Sequence, residues 1–225
     1  MGGNSSSLGD ECLGYRVLGV QDNSPASKAG LVSFFDFIIA ANGVNFDQGP
    51  QDVFVAILNE NVGRTVCLTV YNIKAGNTRG VALTPSNEWP GQGLLGVTIS
   101  WDSYFQAEEH VLRVLEVQPG SPADKAGLKI LEDFLLGTTK VDFKDSEILS
   151  HELQRHMGRA MEVYVFNSQT DSVRRIHIKP QIDWGGAGCF GASVGSGYLH
   201  RLPESCRGTL GESYDHGPPD GALAG

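Results

Sequence analysis

Residues 17–39 read VLGVQDNSPASKAGLVSFFDFII, and residues 114–136 read VLEVQPGSPADKAGLKILEDFLL. The two stretches align without a gap and share Val-Leu, Val-Gln, Ser-Pro-Ala, Lys-Ala-Gly-Leu and Asp-Phe, each in the same place. Chance does not produce identities at this density, and a repeat of this kind determines how the rest of a sequence is interpreted. The chain therefore contains two copies of one structural module.

The two copies continue to match beyond these stretches when the spacing between equivalent residues is reduced by two. Each copy is too long for a solenoid repeat of about 20 to 50 residues and has the size of a small domain. We predict two domains, 14–107 and 108–203, after a leader at 1–13 and before a tail at 204–225 whose Gly, Pro and Ser content favours flexibility. The matching positions are Pro85, Trp89, Gly91, Gly93 and Gly96 in the first copy and Pro180, Trp184, Gly186, Gly188 and Gly191 in the second.

Both copies predict the same order of strands and helices. Ser24 and Ser121 are suitable helix N-caps before a proline, and Gly30 and Gly127 suit the left-handed conformation that ends a short helix. The fold class is α+β and mainly β, with a small, mostly antiparallel sheet and two helices in each copy. The other predicted elements are strands at 15–20, 36–40, 66–71 and 81–84 with a helix at 51–59, and strands at 110–117, 133–136, 163–166 and 176–178 with a helix at 146–157.

Composition excludes several classes of function. With 17 Lys+Arg against 26 Asp+Glu, the formal net charge is -9, so no general attraction to nucleic acid is expected. No run of about 18 apolar residues is present, and the first residues have no positive segment followed by an apolar one, so we expect neither a spanning helix nor a secretory signal. The 4 cysteines lack CxxC spacing, which favours free thiols in a reducing compartment.

The glycine-rich loops at 89–96 and 184–191 are the candidate functional elements. They lack the Gly-Lys-Ser/Thr of a phosphate loop and are not followed by a long helix. Their Gly-Leu-Leu-Gly and Gly-Cys-Phe-Gly cores resemble the carboxylate-binding loop of PDZ domains, in which backbone N–H groups receive a peptide C-terminus and the next strand pairs with the peptide. Because the loop comes late in each copy, the module resembles a circularly permuted PDZ domain.

This resemblance implies two peptide-binding grooves, each made by a loop, the strand after it and the second helix. The first groove would use Leu94, Leu95, Gly96, Val97, Thr98 and Ile99, with Val53 and Ile57 from the helix. The second would use Cys189, Phe190, Gly191, Ala192, Ser193 and Val194, with His151 from the helix. An alternative for His151 is a solvated position on the helix, and for Cys189 the alternatives are pocket lining and a redox-sensitive thiol.

Short motifs along most of the chain carry a second resemblance. They are Met1-Gly2-Gly3, Ser24-Pro25, Ala29-Gly30-Leu31, Phe34-Phe35-Asp36-Phe37-Ile38, Thr84-Pro85-Ser86-Asn87, Trp89, Gly91-Gln92-Gly93-Leu94-Leu95-Gly96-Val97 and Gly197-Tyr198-Leu199-His200-Arg201-Leu202-Pro203. With these motifs the chain as a whole resembles the N-terminal half of the Golgi reassembly and stacking proteins, the GRASP family. That family implies a non-enzymatic scaffold on the cytoplasmic face of the Golgi, with a possible cytosolic pool, golgin-type coiled-coil proteins and C-terminal peptide tails as partners, and homo-oligomers that link cisternae.

The N-terminus fits the pattern for N-myristoylation, with Gly2 as the acceptor and Ser6 four residues later. One myristoyl chain gives only marginal membrane binding, with an association constant of about 10⁴ M⁻¹. The usual polybasic second signal is absent, since Arg16 is the only cation between Gly2 and Lys28. The anchor therefore needs reinforcement by a protein receptor or by self-association that gathers several lipids.

For self-association, the family resemblance implies that the first groove takes a segment of a neighbouring molecule. We predict residues 197–203 as a candidate internal ligand, the alternative being a final strand and exit loop. The competing functions for the chain are a soluble cytosolic PDZ adaptor without a stacking role and a regulatory PDZ fragment of a protease. Gly2 has no role in the protease alternative.

Neither a catalytic site nor a metal or cofactor site is expected. His151 and His156 suggest a zinc-protease helix, but they are five residues apart where four are needed, which puts them roughly 140° apart around a helix. Some members of the resembling family hold zinc at two positions that correspond to Arg16 and Asp102 here, and neither residue type preserves that site.

Overall fold

The computed structural model describes residues 12–46 and 52–214. The chain divides into two compact units, the first made of residues up to Ala107 together with Gly208–Ser213, the second beginning at Glu108. The proposed lipid acceptor Gly2 and residues 215–225 lie outside the described residues.

The first unit contains one sheet, made of the strands β1 to β6 in chain order. Its strand order is β5-β4-β2-β1-β6, and β3 pairs with β2. The pairings are antiparallel. The edge strand β6 follows the glycine-rich loop and pairs only with β1 among these strands. The elements are β1 (Leu13–Val20), α1 (Pro25–Lys28), β2 (Asp36–Ala41), β3 (Val44–Asn45), α2 (Val53–Glu60), β4 (Val66–Asn72), β5 (Asn77–Leu83) and β6 (Val97–Ser103).

The second unit repeats this arrangement, with strand order β11-β7-β8-β9-β10 and antiparallel pairings. The predicted fold class is confirmed: each unit is a mainly β module with an antiparallel sheet and two helices. The elements are β7 (Leu112–Val117), α3 (Pro122–Lys125), β8 (Asp133–Gly137), α4 (Ser146–Arg155), β9 (Met161–Asn167), β10 (Ser172–Ile178) and β11 (Ala192–Gly195), with 3₁₀ turns at Ala107–Glu109, Tyr198–His200 and Glu204–Cys206. A last short strand, β12 (Glu212–Tyr214), begins in the segment assigned to the first unit, which ends at Ser213.

The predicted N-caps of the first short helices are confirmed. The Oγ of Ser24 accepts a hydrogen bond from the N–H of Ser27 at 3.0 Å, and the Oγ of Ser121 accepts one from the N–H of Asp124 at 3.1 Å. A proline occupies the start of each helix, where its missing N–H costs nothing. The repeated Ser-Pro-Ala sequence thus builds the same tight corner in both units.

Aromatic packing fills the first core beside α2. The ring of Tyr15 lies 5.4 Å from Phe46, 5.3 Å from Phe54 and 4.9 Å from Trp101, centroid to centroid. Phe54 and Leu58 are buried one helical turn apart, and Leu149 and Leu153 repeat this pattern on α4. Each second helix is therefore attached to its sheet by the same pair of positions.

Each unit also buries a carboxylate that organises one corner of its sheet. Asp36, fully buried, accepts hydrogen bonds from the N–H of Val32, the side-chain amide of Asn72, and both terminal nitrogens of Arg79, at 2.6 to 2.8 Å. The second unit reproduces this cluster around the buried Asp133. Its partners are the N–H of Lys129, Asn167 and Arg174.

The segment Gly208–Ser213, which we call the strap, belongs to the first unit. The ammonium of Lys74 donates to the hydroxyl of Thr209 at 2.6 Å, and the N–H of Ser33 donates to the hydroxyl of Ser213 at 2.7 Å. The amide of Asn72 adds a longer hydrogen bond to the carbonyl of Leu210, at 3.3 Å. The strap is therefore an integral part of the first fold.

The interpretation of 204–225 as a flexible tail is wrong for residues 204–214. A 3₁₀ turn at Glu204–Cys206 buries Cys206, and the strap and β12 follow it. Composition alone predicts flexibility here, because it does not show the hydrogen bonds that hold the segment to side chains far away in sequence, such as Lys74. The remaining part of the predicted tail lies outside the described residues.

Candidate peptide-binding sites

The glycine-rich loops turn their carbonyl groups inward. The carbonyls of Leu94, Leu95 and Gly96 accept hydrogen bonds from the N–H groups of Ser86, Ala26 and Gln21, at 2.9, 3.0 and 2.9 Å. In the second loop the carbonyls of Cys189, Phe190 and Gly191 are held in the same way by Gln181, Ala123 and Gln118, at 3.0, 3.0 and 2.8 Å.

Several N–H groups of the same loops have no hydrogen-bond acceptor among the described residues. Within 12–46 and 52–214, no backbone hydrogen bond is donated by the N–H of Leu95 or Gly96, or by that of Phe190 or Gly191. Adjacent N–H groups without an internal acceptor form a site for an anion. The arrangement in both units is the one that a peptide carboxylate requires.

A tryptophan closes each loop. The indole N–H of Trp89 donates to the carbonyl of Gly93 at 2.8 Å, and that of Trp184 donates to Gly188 at 2.9 Å. The same rings lie against the loop glycines, so that a Cβ built on Gly91 would come within 2.0 Å of Trp89. The spacing of Trp and Gly in the repeat is thus a packing requirement of the loop.

The first groove lies between β6, its loop and α2, and has a volume of about 270 Å³. Its walls are mostly apolar, and β6 is the last strand of the sheet, with an edge open to pairing by an added strand. The residues that line it are Phe54, Val55, Leu58, Asn59, Gln92, Gly93, Leu94, Leu95, Gly96, Val97 and Ile99.

The second groove occupies the same place in the second unit and is larger, at about 450 Å³. Several hydroxyl, amide and carboxylate groups join its apolar walls. The residues that line it are Glu116, Gln118, Ser146, Leu149, Ser150, Leu153, Gln154, Ala187, Gly188, Cys189, Phe190, Gly191, Ala192, Ser193 and Val194.

The structure brings most of the predicted loop and strand residues together. In the first groove the five residues other than Thr98 lie in the wall, whereas Thr98 is exposed and outside it. In the second groove all six residues from Cys189 to Val194 lie in the wall. Cys189 is half-buried and forms part of that wall.

The helix side of each groove is formed by residues other than those predicted. Val53 and Ile57 do not line the first groove and pack instead against the core. His151 does not line the second groove; its side chain is 71% exposed. The prediction missed the rotation of the helix, which presents Val55 and Ser150 to the grooves.

His151, Arg16 and Asp102 each lie beside a charged side chain. His151 is at 3.8 Å from the carboxylate of Glu152, which Arg155 contacts at 2.7 Å.

Arg16 and Asp102, the two positions that correspond to a zinc site in some members of the resembling family, form an ion pair here. The guanidinium of Arg16, on β1, is 3.5 Å from the carboxylate of Asp102, on β6, and the Arg16 side chain is buried. Among the described residues no cluster of three or more His, Cys, Asp or Glu could hold a metal ion.

Residues 197–203 form a short exposed projection. Tyr198 and Leu199, in a 3₁₀ turn, are 75% and 82% exposed, and the guanidinium of Arg201 stacks 4.1 Å from the Tyr198 ring centroid. Leu202 is buried and fixes the base of the projection. Two adjacent large side chains are therefore exposed to solvent in this segment.

Comparison with known proteins identifies a protein family and several individual proteins with similar sequences. The family described as the GRASP55/65 PDZ-like domain matches residues 7–83 and 68–205. Golgi reassembly-stacking protein 1 of Mus musculus is 40% identical over 209 residues, which is 93% of this chain and 45% of that protein. Its Homo sapiens counterpart is 40% identical over 206 residues, covering 92% and 45%.

A fungal protein is also similar. The GRASP65 homolog protein 1 of Saccharomyces cerevisiae is 26% identical over 233 residues, covering 88% of this chain and 60% of that protein. The chain spans about half the length of the curated mammalian relatives it matches. The similarity therefore concerns the region that contains both repeated units.

Proposed function

We propose, because the chain belongs to the GRASP55/65 PDZ-like domain family, that it is a scaffold that binds peptide tails and copies of itself at the cytoplasmic face of the Golgi. Its role there would be to organise and tether membranes and to support protein trafficking or unconventional secretion, with no enzymatic step. The observation that best supports this function is the pair of loops, each beside an edge strand, in which the N–H groups of Leu95 and Gly96 and of Phe190 and Gly191 have no backbone acceptor among the described residues.

In this function a peptide C-terminus binds each groove as an added antiparallel strand. The N–H groups of Leu95 and Gly96, or of Phe190 and Gly191, receive the terminal carboxylate. The last side chain enters the apolar pocket between the loop and the second helix. Golgin-type coiled-coil proteins are the proposed partners because their free C-termini would supply such tails.

Self-association uses the first groove for an internal segment, which has no terminal carboxylate and binds through its apolar side chains. The exposed Tyr198 and Leu199 of a neighbouring molecule are the proposed occupant, because removing their apolar surface from water into an apolar groove is favourable. The first groove has the more apolar walls of the two. Chains joined in this way would connect membranes that carry them.

We expect Val55→Asp to weaken self-association at least tenfold. Val55 lines the first groove and is 55% exposed, so the new carboxylate would be hydrated in the monomer. Binding of an apolar ligand would remove that hydration, and this cost weakens the association. Sedimentation velocity over a concentration series measures the association constant. Val44→Asp is the matched control, because Val44 is 43% exposed and lies on β3, outside the groove.

Leu199→Asp should weaken self-association to a similar degree, since it removes the other half of the same contact. Unchanged association in both Val55→Asp and Leu199→Asp would contradict this mode of assembly. The chain would then be better explained as a soluble adaptor for peptide tails.

Membrane attachment is proposed to use a myristoyl group on Gly2. No helix among the described residues is both long and apolar enough to cross a bilayer. The net charge of -9 provides no general attraction to anionic lipids, so oligomers would be needed to combine several weakly binding acyl chains. The anchor and the first groove would therefore act together.

We expect Gly2→Ala to abolish the acyl mass on the N-terminus and to shift the protein from the membrane fraction to the cytosol. N-myristoylation requires glycine at this position, whereas Gly3→Ala leaves the acceptor intact and is the control. Mass spectrometry of protein from its own cell type, combined with fractionation, measures both effects. An unmodified N-terminus on membrane-bound protein would contradict the anchor.

A further inference from the structure

The loops that precede β2 and β8 match across the repeat but differ in exposure. Loop 32–35 and loop 129–132 occupy equivalent places, because each lies between the first short helix of its unit and the strand that begins with the buried aspartate. Loop 32–35 is buried throughout. In loop 129–132, Ile130 and Leu131 are 49% and 50% exposed. The second unit therefore presents two adjacent aliphatic residues to solvent at a place that the first unit buries.

The two loops have the same backbone conformation. Phe34 and Leu131 are equivalent, and both have a positive φ, of 65° and 64°. The N–H of Phe34 donates to the carbonyl of Val17 at 2.6 Å, and that of Leu131 donates to the carbonyl of Val114 at 2.8 Å. The difference in exposure is therefore not caused by a difference in the fold of the loop.

The strap contacts loop 32–35 in the first unit. The N–H of Ser33 donates to the hydroxyl of Ser213 at 2.7 Å. Just after β4, the ammonium of Lys74 donates to the hydroxyl of Thr209 at 2.6 Å. In the first unit, the ligand of this surface is thus a peptide segment that offers two hydroxyl groups as acceptors.

The equivalent donors of the second unit lack such a segment. The N–H of Ile130, which matches that of Ser33, donates no hydrogen bond to the described part of the chain. Gln169 matches Lys74 and is exposed, and its side-chain amide is also a donor. Leu131 keeps a positive φ, which is unfavourable for leucine, although half of its surface is in water. This surface therefore has the donors and the strained loop of the first unit without the segment that binds there.

We propose that loop 129–132 and Gln169 bind a short internal segment of another protein, of the type that the strap provides in the first unit. The segment carries two hydroxyl residues four positions apart, as Thr209 and Ser213 are, with an aliphatic residue between them. Its hydroxyl groups accept from the N–H of Ile130 and from the amide of Gln169. Its aliphatic side chain removes the surface of the two exposed aliphatic residues from water.

This site is separate from both peptide-binding grooves. No residue of loop 129–132 lines either groove. The segment comes from another protein because the strap of the chain itself is already bound in the first unit. Its ligand has no free C-terminus, since the strap is an internal segment. One chain can then hold an internal segment of one partner while its grooves hold the C-terminal tails of others.

The test uses a synthetic peptide with the sequence of residues 207–214, blocked at both ends so that no terminal carboxylate can enter a groove. It is titrated into the full ¹⁵N-labelled chain. We expect saturable shifts of the amide signals of Ile130, Leu131 and Gln169, and none in the two glycine-rich loops. The same peptide with Ser213→Ala should bind about fivefold more weakly, because it has lost one acceptor.

Leu131→Gly tests the surface itself. Glycine adopts a positive φ without strain, so the stability of the second unit should stay nearly unchanged while the aliphatic side chain is lost. We expect this variant to bind the peptide about tenfold more weakly, and Ile130→Ser to show a similar loss. Ile182→Ser is the matched control, because Ile182 is 65% exposed in the loop after β10 and should not affect binding.

The absence of saturable shifts at Ile130 and Leu131, or shifts confined to Ser33 and Lys74, would overturn this inference. Two further results would also overturn it by assigning the surface to another occupant. Weaker self-association of Leu131→Gly in sedimentation velocity would indicate a second copy of the chain. Weaker binding of that variant to vesicles of phosphatidylcholine and phosphatidylserine would indicate a membrane. The proposed function is tested separately, by substitutions in the first groove and at Gly2.

Discussion

Asp36→Ala is expected to lower the free energy of unfolding of the first unit by about 3–5 kcal/mol, the usual cost of removing one partner from a buried ion pair. Asp36 is fully buried, and its two oxygens accept from Arg79 at 2.6 and 2.8 Å, from Asn72 at 2.7 Å and from the N–H of Val32 at 2.7 Å. Alanine would leave all of these donors without the carboxylate that they surround.

The second unit offers an internal comparison. Asp133→Ala removes the equivalent carboxylate, so it should destabilise the second unit by a similar amount and leave the first nearly unchanged. Hydrogen exchange followed by mass spectrometry resolves the two units within one chain. Asp22→Ala, at an exposed position, is the control, and a loss below about 1 kcal/mol for Asp36→Ala would contradict the assigned role.

Gly96→Ala is expected to destabilise the first unit by about 2–5 kcal/mol and to abolish peptide binding at the first groove. Gly96 has φ +68, and a Cβ there would lie 2.3 Å from the Cβ of Ser24 and 2.5 Å from the ring of Trp89. The positive φ costs about 1–2 kcal/mol for alanine, and the overlap adds about 1–3 kcal/mol as the loop is displaced. Displacement of the loop removes the N–H groups from their position beside β6.

Gly93→Ala is the matched control in the same loop. Gly93 has φ +74, but a Cβ there would meet nothing within 4 Å, so only the cost of the positive φ applies. Thermal unfolding gives the stability of each variant, and titration with a C-terminal peptide gives its binding. Equal effects of the two substitutions would mean that backbone conformation, and not the contact with Ser24, limits this loop.

The repeat explains why the fold class could be predicted from the sequence. Two independent copies of each local signal, such as the N-caps Ser24 and Ser121, reduce the chance that either is accidental. The loops were identified for the same reason, since Gly96 and Gly191 match across the repeat and both lie against the capping serine. Local sequence signals that occur in both copies, such as the N-cap serines and the loop glycines, were sufficient to predict the fold class and the position of the loops.

The helix side of the grooves could not be predicted because it depends on the rotation of α2 and α4. Helical spacing predicts a helix at 51–59, but it does not say which of its apolar residues contact the sheet core and which face the groove. Packing decides this by burying Phe54 and Leu58, and it leaves Val55 at the groove. The identity of Ser150 as a wall residue follows from the same geometry and not from residue type.

The buried carboxylates were missed for a different reason. Asp36 and Arg79 are 43 residues apart, and no spacing rule pairs them. The repeat alignment does contain the information, since Asp133 and Arg174 occupy the matching positions. The predicted strand at 81–84 began too late to include Arg79, because the polar residues at the start of β5 do not alternate with apolar ones.

The strap also has a consequence for synthesis of the protein. Domains generally fold as they leave the ribosome, N-terminal first. The hydrogen bonds to Thr209 and Ser213 complete the first unit, yet these residues are translated after Glu108–Arg207, which make up most of the second. The unit that begins first is therefore the one that must wait for the later residues, and Lys74 receives its hydroxyl partner only after the second groove has been translated.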